Sequence, residues 1–360
     1  MGIDREFWRG KRVFVTGHSG FKGGWLALWL NSMGADVIGY ALSPPTDTNL
    51  FTVANIGGRL EQSIQADIRD AAALLQAVKE AKPDIVFHMA AQSLVRYSYL
   101  EPTETYAVNV LGLVNLLEAV RQTPSIRAVV NITTDKCYEN HGGEQPYKEG
   151  EPLGGYDPYS SSKACSEIVT AAYRQSFLAA AGVQIATARA GNVIGGGDWA
   201  QDRLLPDFLR CIDAGEKLII RSPESTRPWQ HVIEPLAGYL VLAEKLVTEG
   251  QQFSDSWNFG PQESDAKSVK WIVEYLCSQR PGVEWTCDFG EQPHEANVLV
   301  LDSSKARSQL GWRPRLGLET ALGMTLAWHQ AWKQSEDMRA MCLEQIKEYD
   351  LVVGQHDIKV

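Results

Sequence analysis

Short apolar runs alternate with helical patterns through the first half of this 360-residue chain. Residues 12–16 read as a buried strand, and the glycine-rich turn Gly17 to Gly24 leads into an apolar helix at 25–33. Strands follow at 36–40, 64–68 (with Asp67 at its end), 83–91, 129–132 and 182–189. Helical stretches at 71–81 and 105–121 separate them, and 93–99 reads as a loop. Strands alternating with helices predict an α/β fold, a Rossmann-like doubly wound parallel sheet. From Gly191 the texture changes to loops, short strands at 217–221 and 257–260, and helices at 204–214, 233–249, 269–277, 318–332 and 338–349. Residues 292–301 and 303–310 read as a loop and a strand before a helix. The expected division is a dinucleotide-binding unit over 1–190, to which about 229–262 returns, and a smaller mixed α/β unit over 191–360.

Composition narrows the classes. Apolar residues make up 44% and charged residues 22%, an ordinary globular balance. A net charge of −10 disfavours a phosphate-tracking nucleic-acid surface but leaves room for an anionic small ligand held by local Arg and Lys. The six cysteines form no Cys-x-x-Cys pair, so neither a disulfide framework nor a metal site is expected. No apolar run approaches the roughly 18 residues of a membrane span, and a cytoplasmic location is expected.

Two motifs carry chemistry. Gly17, Gly20 and Gly23 fall between a strand and a helix, where glycines permit a tight turn and close approach of the backbone to a pyrophosphate. The stretch 131–163 begins Asn-Ile-Thr-Thr-Asp-Lys-Cys-Tyr at the end of a buried strand and finishes with Tyr159 four residues before Lys163. On a helix those two share a face. A phenol is a poor base at neutral pH, and a nearby ammonium is expected to draw its pKa down.

As an ordered set, Thr16-Gly17-x-x-Gly20-x-x-Gly23, Asp67, Ala90-Ala91, Asn109, Thr133-Thr134-Asp135 and Tyr159-x-x-x-Lys163 resemble the extended short-chain dehydrogenase/reductases over about residues 11–330. Within them the chain looks like the sugar-nucleotide 4,6-dehydratases. Thr-Thr-Asp-Lys-x-Tyr, Thr-Gly-His-Ser-Gly-Phe-Lys-Gly and Gly-Asn-Val-Ile-Gly-Gly-Gly-Asp-Trp are close to members acting on CDP-D-glucose. The resemblance implies NAD as cofactor, CDP-D-glucose as substrate, a homodimer, and a product feeding deoxysugar synthesis for surface polysaccharide such as lipopolysaccharide O-antigen. It implies that Gly17, His18, Gly20, Phe21, Lys22 and Gly23 border the cofactor pyrophosphate, that Asp67 and Ile68 meet the adenine, and that Ala90, Ala91, Asn109 and Thr133 line the cofactor channel. Tyr159 and Lys163 join both cofactor and chemistry. Thr134 would bond the sugar near O4, and Asp135 and Lys136 would serve water elimination. Ser93, Asn192, Arg203, Arg227 and His294 would hold the substrate.

Three departures matter. The second strand ends Gly-Tyr-Ala-Leu-Ser, with no carboxylate for a ribose 2′-hydroxyl, which weakens the choice of NAD over NADP. His18 and Lys22 stand where relatives carry smaller or apolar groups, and a weak grip on the cofactor is expected. Relatives carry Asp-Glu where this chain has Asp135-Lys136. A sugar-nucleotide epimerase, a dehydratase for another NDP-hexose and a non-catalytic nucleotide sensor are the alternatives.

Overall fold

In a computed structural model, the described residues are 2–140, 142, 145–280, 282–288, 290 and 299–357, with the side chains of 353–357 left aside. Seven parallel strands form the central sheet: β1 (Arg12–Thr16), β2 (Asp36–Ala41), β3 (Gln62–Gln65), β4 (Ile85–His88), β5 (Ala128–Ile132), β6 (Gln184–Ala190) and β7 (Ser256–Phe259). Their order is β3-β2-β1-β4-β5-β6-β7, so the winding reverses between β1 and β4. Ligands of open α/β sheets bind at the carboxyl ends beside such a reversal. The central strands are buried on both faces, which is why they read as unbroken apolar runs.

Helices cover both faces. The main ones are α1 (Phe21–Ser32), α2 (Ala71–Ala81), α3 (Val95–Leu100) and α4, which runs from Pro102 to Arg121 through a π turn at Ala107–Leu111. They continue as α5 (Pro158–Tyr173), α6 (Leu204–Ala214), α7 (Ile233–Thr248), α8 (Val269–Gln279), α9 (Leu318–Lys333) and α10 (Met338–Asp357). One core sets Trp25 and Trp29 of α1 and Leu236 and Leu240 of α7 against the sheet. A second packs α2 and α4 on the opposite face. A third joins α6, the short strand Leu218–Ile220, α8 and α9. Thus α7 and β7 lie on the parallel sheet although they follow α6 in sequence. No described helix is long and apolar enough to cross a membrane.

Local differences from the sequence reading have physical reasons. α1 begins at Phe21, four residues early, because Gly20 is its extended cap and Gly23 and Gly24 lie inside the helix against neighbouring atoms. β3 occupies 62–65, since edge pairing with β2 sets its register (Ile38 against Gln62) and most of it is exposed. The expected loop at 93–99 contains α3, and the 303–310 segment ends in a π turn at Ala306–Leu310 rather than a strand.

Candidate active site

The glycine turn after β1 is closed by contacts that only glycine allows. Gly17 has φ +76°, and a Cβ there would sit 2.7 Å from the Ala90 nitrogen. A Cβ on Gly23 would fall 2.1 Å from the Gly17 carbonyl oxygen. Beneath them the Thr16 hydroxyl accepts from the Met89 and Ala90 amides, both at 3.1 Å, and pairs with His88 Nδ1 at 2.8 Å. The two strand ends at the winding reversal are therefore locked together below the N-terminus of α1, an anion-favouring position.

Tyr159 and Lys163 stand on the first turns of α5. Asp157 caps this helix by accepting from the Ser160 amide, and Pro158 takes the first helical position. The Tyr159 amide has no intrahelical acceptor there and donates to Ser98 Oγ at 3.1 Å. α3, missed in the sequence, thus fixes the tyrosine. Lys163 Nζ donates to the Ile132 carbonyl at the end of β5, 3.2 Å away. Burial pulls the Lys163 ammonium down to about 8, with Glu167 opposing. Burial pushes the Tyr159 phenol up to about 12; a Thr134 hydrogen bond opposes this and the Asp135 charge adds to it. The expected lowering of the phenol by Lys163 is therefore corrected: in this site burial dominates.

Thr134 caps a short 3-10 turn, Asp135–Cys137, and its hydroxyl donates to Asp135 Oδ1 at 3.0 Å. Asp135 is buried, and its Oδ2 has no hydrogen-bond partner among the described residues. Burial raises its carboxyl, while Lys136 and the Thr134 hydroxyl oppose. These groups, with Tyr159 and Lys163, line one cavity of about 340 Å³. Phe21, Lys22, Ala91, Ser93, Thr133, Asn192, Arg203 and Arg227 line it too. Arg203 donates to Asp198 at 2.9 Å and to Ser93 Oγ at 3.0 Å, a bridge between the β4 loop and the segment before α6. Arg227 is buried and donates to the Thr226 carbonyl at 3.1 Å.

Other expected site residues are engaged elsewhere. His18 is turned inward: Nε2 pairs with Ser63 Oγ at 2.7 Å, and the ring occupies the space over Gly39. Burial pulls it down to about 4. Lys22 does face the cavity, and its ammonium donates to Tyr239 Oη at 3.0 Å. Burial, then Lys163 and Arg203, pull Lys22 down to about 7. Asn109, in the π turn, exchanges hydrogen bonds with Gln92 and donates to Ser162 Oγ, which makes it a brace between the β4 loop and α5. Asp67 pairs with Arg69 at 2.6 Å, and Ile68 packs on Gly112. The Thr133 hydroxyl points down to Glu167. His294 lies outside the described residues.

Sequence reasoning overlooked the support of this site. Glu167 is one turn beyond Lys163, so Tyr159, Lys163 and Glu167 form an i, i+4, i+8 series whose spacing was the available signal. Its carboxylate accepts from Thr133, Thr187 and the Nε and Nη2 of Arg189, all buried. Tyr239 left no such signal, being one apolar ring within an apolar helix.

Residues 14–325 match the family described as GDP-mannose 4,6 dehydratase. A CDP-glucose 4,6-dehydratase of Salmonella typhimurium is 54% identical over 353 residues, covering 96% of this chain and 98% of that protein. The chain belongs to the sugar-nucleotide 4,6-dehydratases of the extended short-chain dehydrogenase/reductase family. A dTDP-glucose 4,6-dehydratase of Xanthomonas campestris, another such dehydratase, is 26% identical over 89% of this chain and 94% of its own. Among solved structures, the Bacillus anthracis dTDP-glucose 4,6-dehydratase in complex with NAD superposes with TM-score 0.74 at 22% identity, over 91% of this chain and 99% of that one. That likeness shows the Rossmann-like fold.

Proposed function

We propose that this chain converts CDP-D-glucose to CDP-4-keto-6-deoxy-D-glucose with NAD as its cofactor. The observation that carries the reading is the meeting of Tyr159, Thr134, Asp135 and Lys136 in one cavity beside the winding reversal, in a chain 54% identical to a CDP-glucose 4,6-dehydratase.

The residues fit the cofactor: only glycine at 17 and 23 lets the turn close on the Ala90 backbone and the Gly17 carbonyl, which brings the turn tight under the α1 N-terminus where a pyrophosphate would sit. NAD, when bound, supplies a hydride acceptor and donor for C4 and C6 of the sugar. Tyr159 takes the O4 proton; Arg203 is the cation that favours its phenolate, and Lys163, one turn on, is held on the Ile132 carbonyl beside the cofactor channel. Thr134 orients O4. Asp135, whose carboxyl burial raises and whose Oδ2 has no partner among the described residues, is the acid for the departing C6 hydroxyl. Lys136 acts at C5, as base or as the cation that steadies the developing enolate. Arg203 and Arg227 hold the diphosphate. With His18 facing inward on Ser63 and Lys22 donating to Tyr239, the weak grip on the cofactor expected from these two side chains loses the support of His18.

A homodimer through α4 and α5 belongs to the same reading. Leu111 and Ile168 on these helices are 60% and 57% exposed, and Tyr106 and Phe177 extend the patch. Val108 and Val114, also expected there, are half-buried. All six cysteines are unpaired, in keeping with a reducing cytoplasmic setting, and the product would feed surface-polysaccharide deoxysugars. Incubation with NAD and a panel of CDP-, dTDP-, UDP- and GDP-hexoses tests the assignment. A 4-keto-6-deoxy product from CDP-D-glucose supports it; product from another nucleotide alone refutes the base.

A further inference from the structure

The cavity has two ends. Tyr159, Thr134 and Asp135 mark one. The other passes under the first turn of α6 to Leu218–Ile220 and Arg221, where Leu205, Leu209 and Leu218 offer apolar surface. With the hexose at Tyr159, as the proposed function has it, this far end is where a nucleobase beyond the diphosphate would lie. Apolar walls suit the faces of a base, and its edge then needs a polar partner to set identity.

Asp207 supplies one. It lies in the first turn of α6, half-buried, and lines the cavity. Its Oδ1 accepts from Arg210 Nη2. Arg210 is itself pinned from behind, donating to the carbonyls of Trp199 at 2.9 Å and Ala200 at 3.2 Å. Arg210 does not line this cavity; it borders a small separate recess with Trp328 and His329. A guanidinium outside the cavity therefore holds the carboxylate of a residue that lines it. Arg221 lines the same end, with Nη1 donating to Asp202 Oδ1 at 2.5 Å.

We propose that Asp207 reads the base, accepting a hydrogen bond from the 4-amino group of cytosine, with Arg221 donating to the ring's acceptor edge. The pairing is chemically selective. Cytosine presents an amino donor at position 4, where uracil and thymine present a carbonyl acceptor. An ionised carboxylate can only accept, so it meets the carbonyl of uracil or thymine with two acceptors face to face. The inference rests on the reading that a CDP-hexose is the substrate.

The test compares nucleotide binding, without catalysis, in wild type and in Asp207→Asn. Calorimetric Kd values for CDP and UDP give the preference directly. An amide offers both an acceptor and a donor, so the variant should keep most of its CDP affinity and gain UDP affinity. The CDP:UDP ratio should fall by about tenfold or more. Arg210→Gln, which leaves the carboxylate but frees it, should lower the ratio in the same direction by less. A merely structural Asp207 would weaken both nucleotides alike, and an unchanged ratio in both variants overturns the proposal. A wild type that shows no preference for CDP overturns the assignment of the base as well, which separates the two failures.

Discussion

Arg189→Met would leave Glu167 as a buried carboxylate without its cation. The pair sits between β6 and α5 with both side chains 2% exposed, and Arg189 donates to both carboxylate oxygens at 2.9 and 2.7 Å. Breaking a buried pair by removing one partner typically costs about 3–5 kcal/mol. The Thr133 and Thr187 hydroxyls remain to Glu167, while Tyr138 and the Glu149 carbonyl lose a donor, so the upper half of that range applies. The pH dependence is an independent check. Burial pushes Glu167 up, but Arg189 and then the two threonines outweigh it and carry the carboxyl below its ordinary 4.5. A carboxyl depressed in the folded state adds stability above its unfolded pKa and loses it as pH falls through the folded value. In Arg189→Met burial is no longer offset, the carboxyl rises, and acidification relieves the variant. Urea unfolding at neutral pH and at stepwise lower pH should show a large loss that begins to narrow above about pH 4.5, as the variant's raised carboxyl takes up its proton, and narrows further below it as wild type loses its own contribution. A loss under about 1 kcal/mol, or a gap that stays constant on acidification, would refute the reasoning.

Tyr159→Phe should lower turnover by about 10²–10⁴-fold while leaving the fold intact, which steady-state kinetics and circular dichroism would check together. Gly23→Ala should abolish detectable NAD binding in titration, because its methyl carbon meets the Gly17 carbonyl at 2.1 Å within a fixed turn; wild-type affinity would contradict this reading of the turn. Lys136→Met should still oxidise C4, so reduced-nicotinamide absorbance builds up on the enzyme. Product formation and solvent-deuterium entry at C5 should drop, and near-normal rates would remove Lys136 from the elimination.

The layered fold was readable because the central strands are buried on both faces, helices such as 71–81 and 204–214 carry a periodic apolar face, and α1 and α7 are apolar nearly all round. Helices at 71–81 and 204–214 could be placed to the residue, where Asp70 caps the first and Gly215, at φ +68°, ends the second. Legibility failed where tertiary contacts decide. β3 is an exposed edge strand set by its neighbour, and α3 is a short helix whose fully buried Ser98 serves Tyr159. At the site, motif residues that reach the cavity were legible because chemistry restricts them. The inward turn of His18 and the bracing by Asn109 were not, because a side chain's direction depends on what lies behind it.

The most direct test of the central claim follows one hydrogen. CDP-D-glucose carrying deuterium at C4 is incubated with the purified chain and NAD, and the product is examined by mass spectrometry and NMR. Dehydration by the proposed route predicts a 4-keto-6-deoxy sugar with the deuterium at C6 and no net reduced cofactor. Deuterium still at C4 of an intact hexose, as an epimerase would leave it, or lost altogether, would contradict the account.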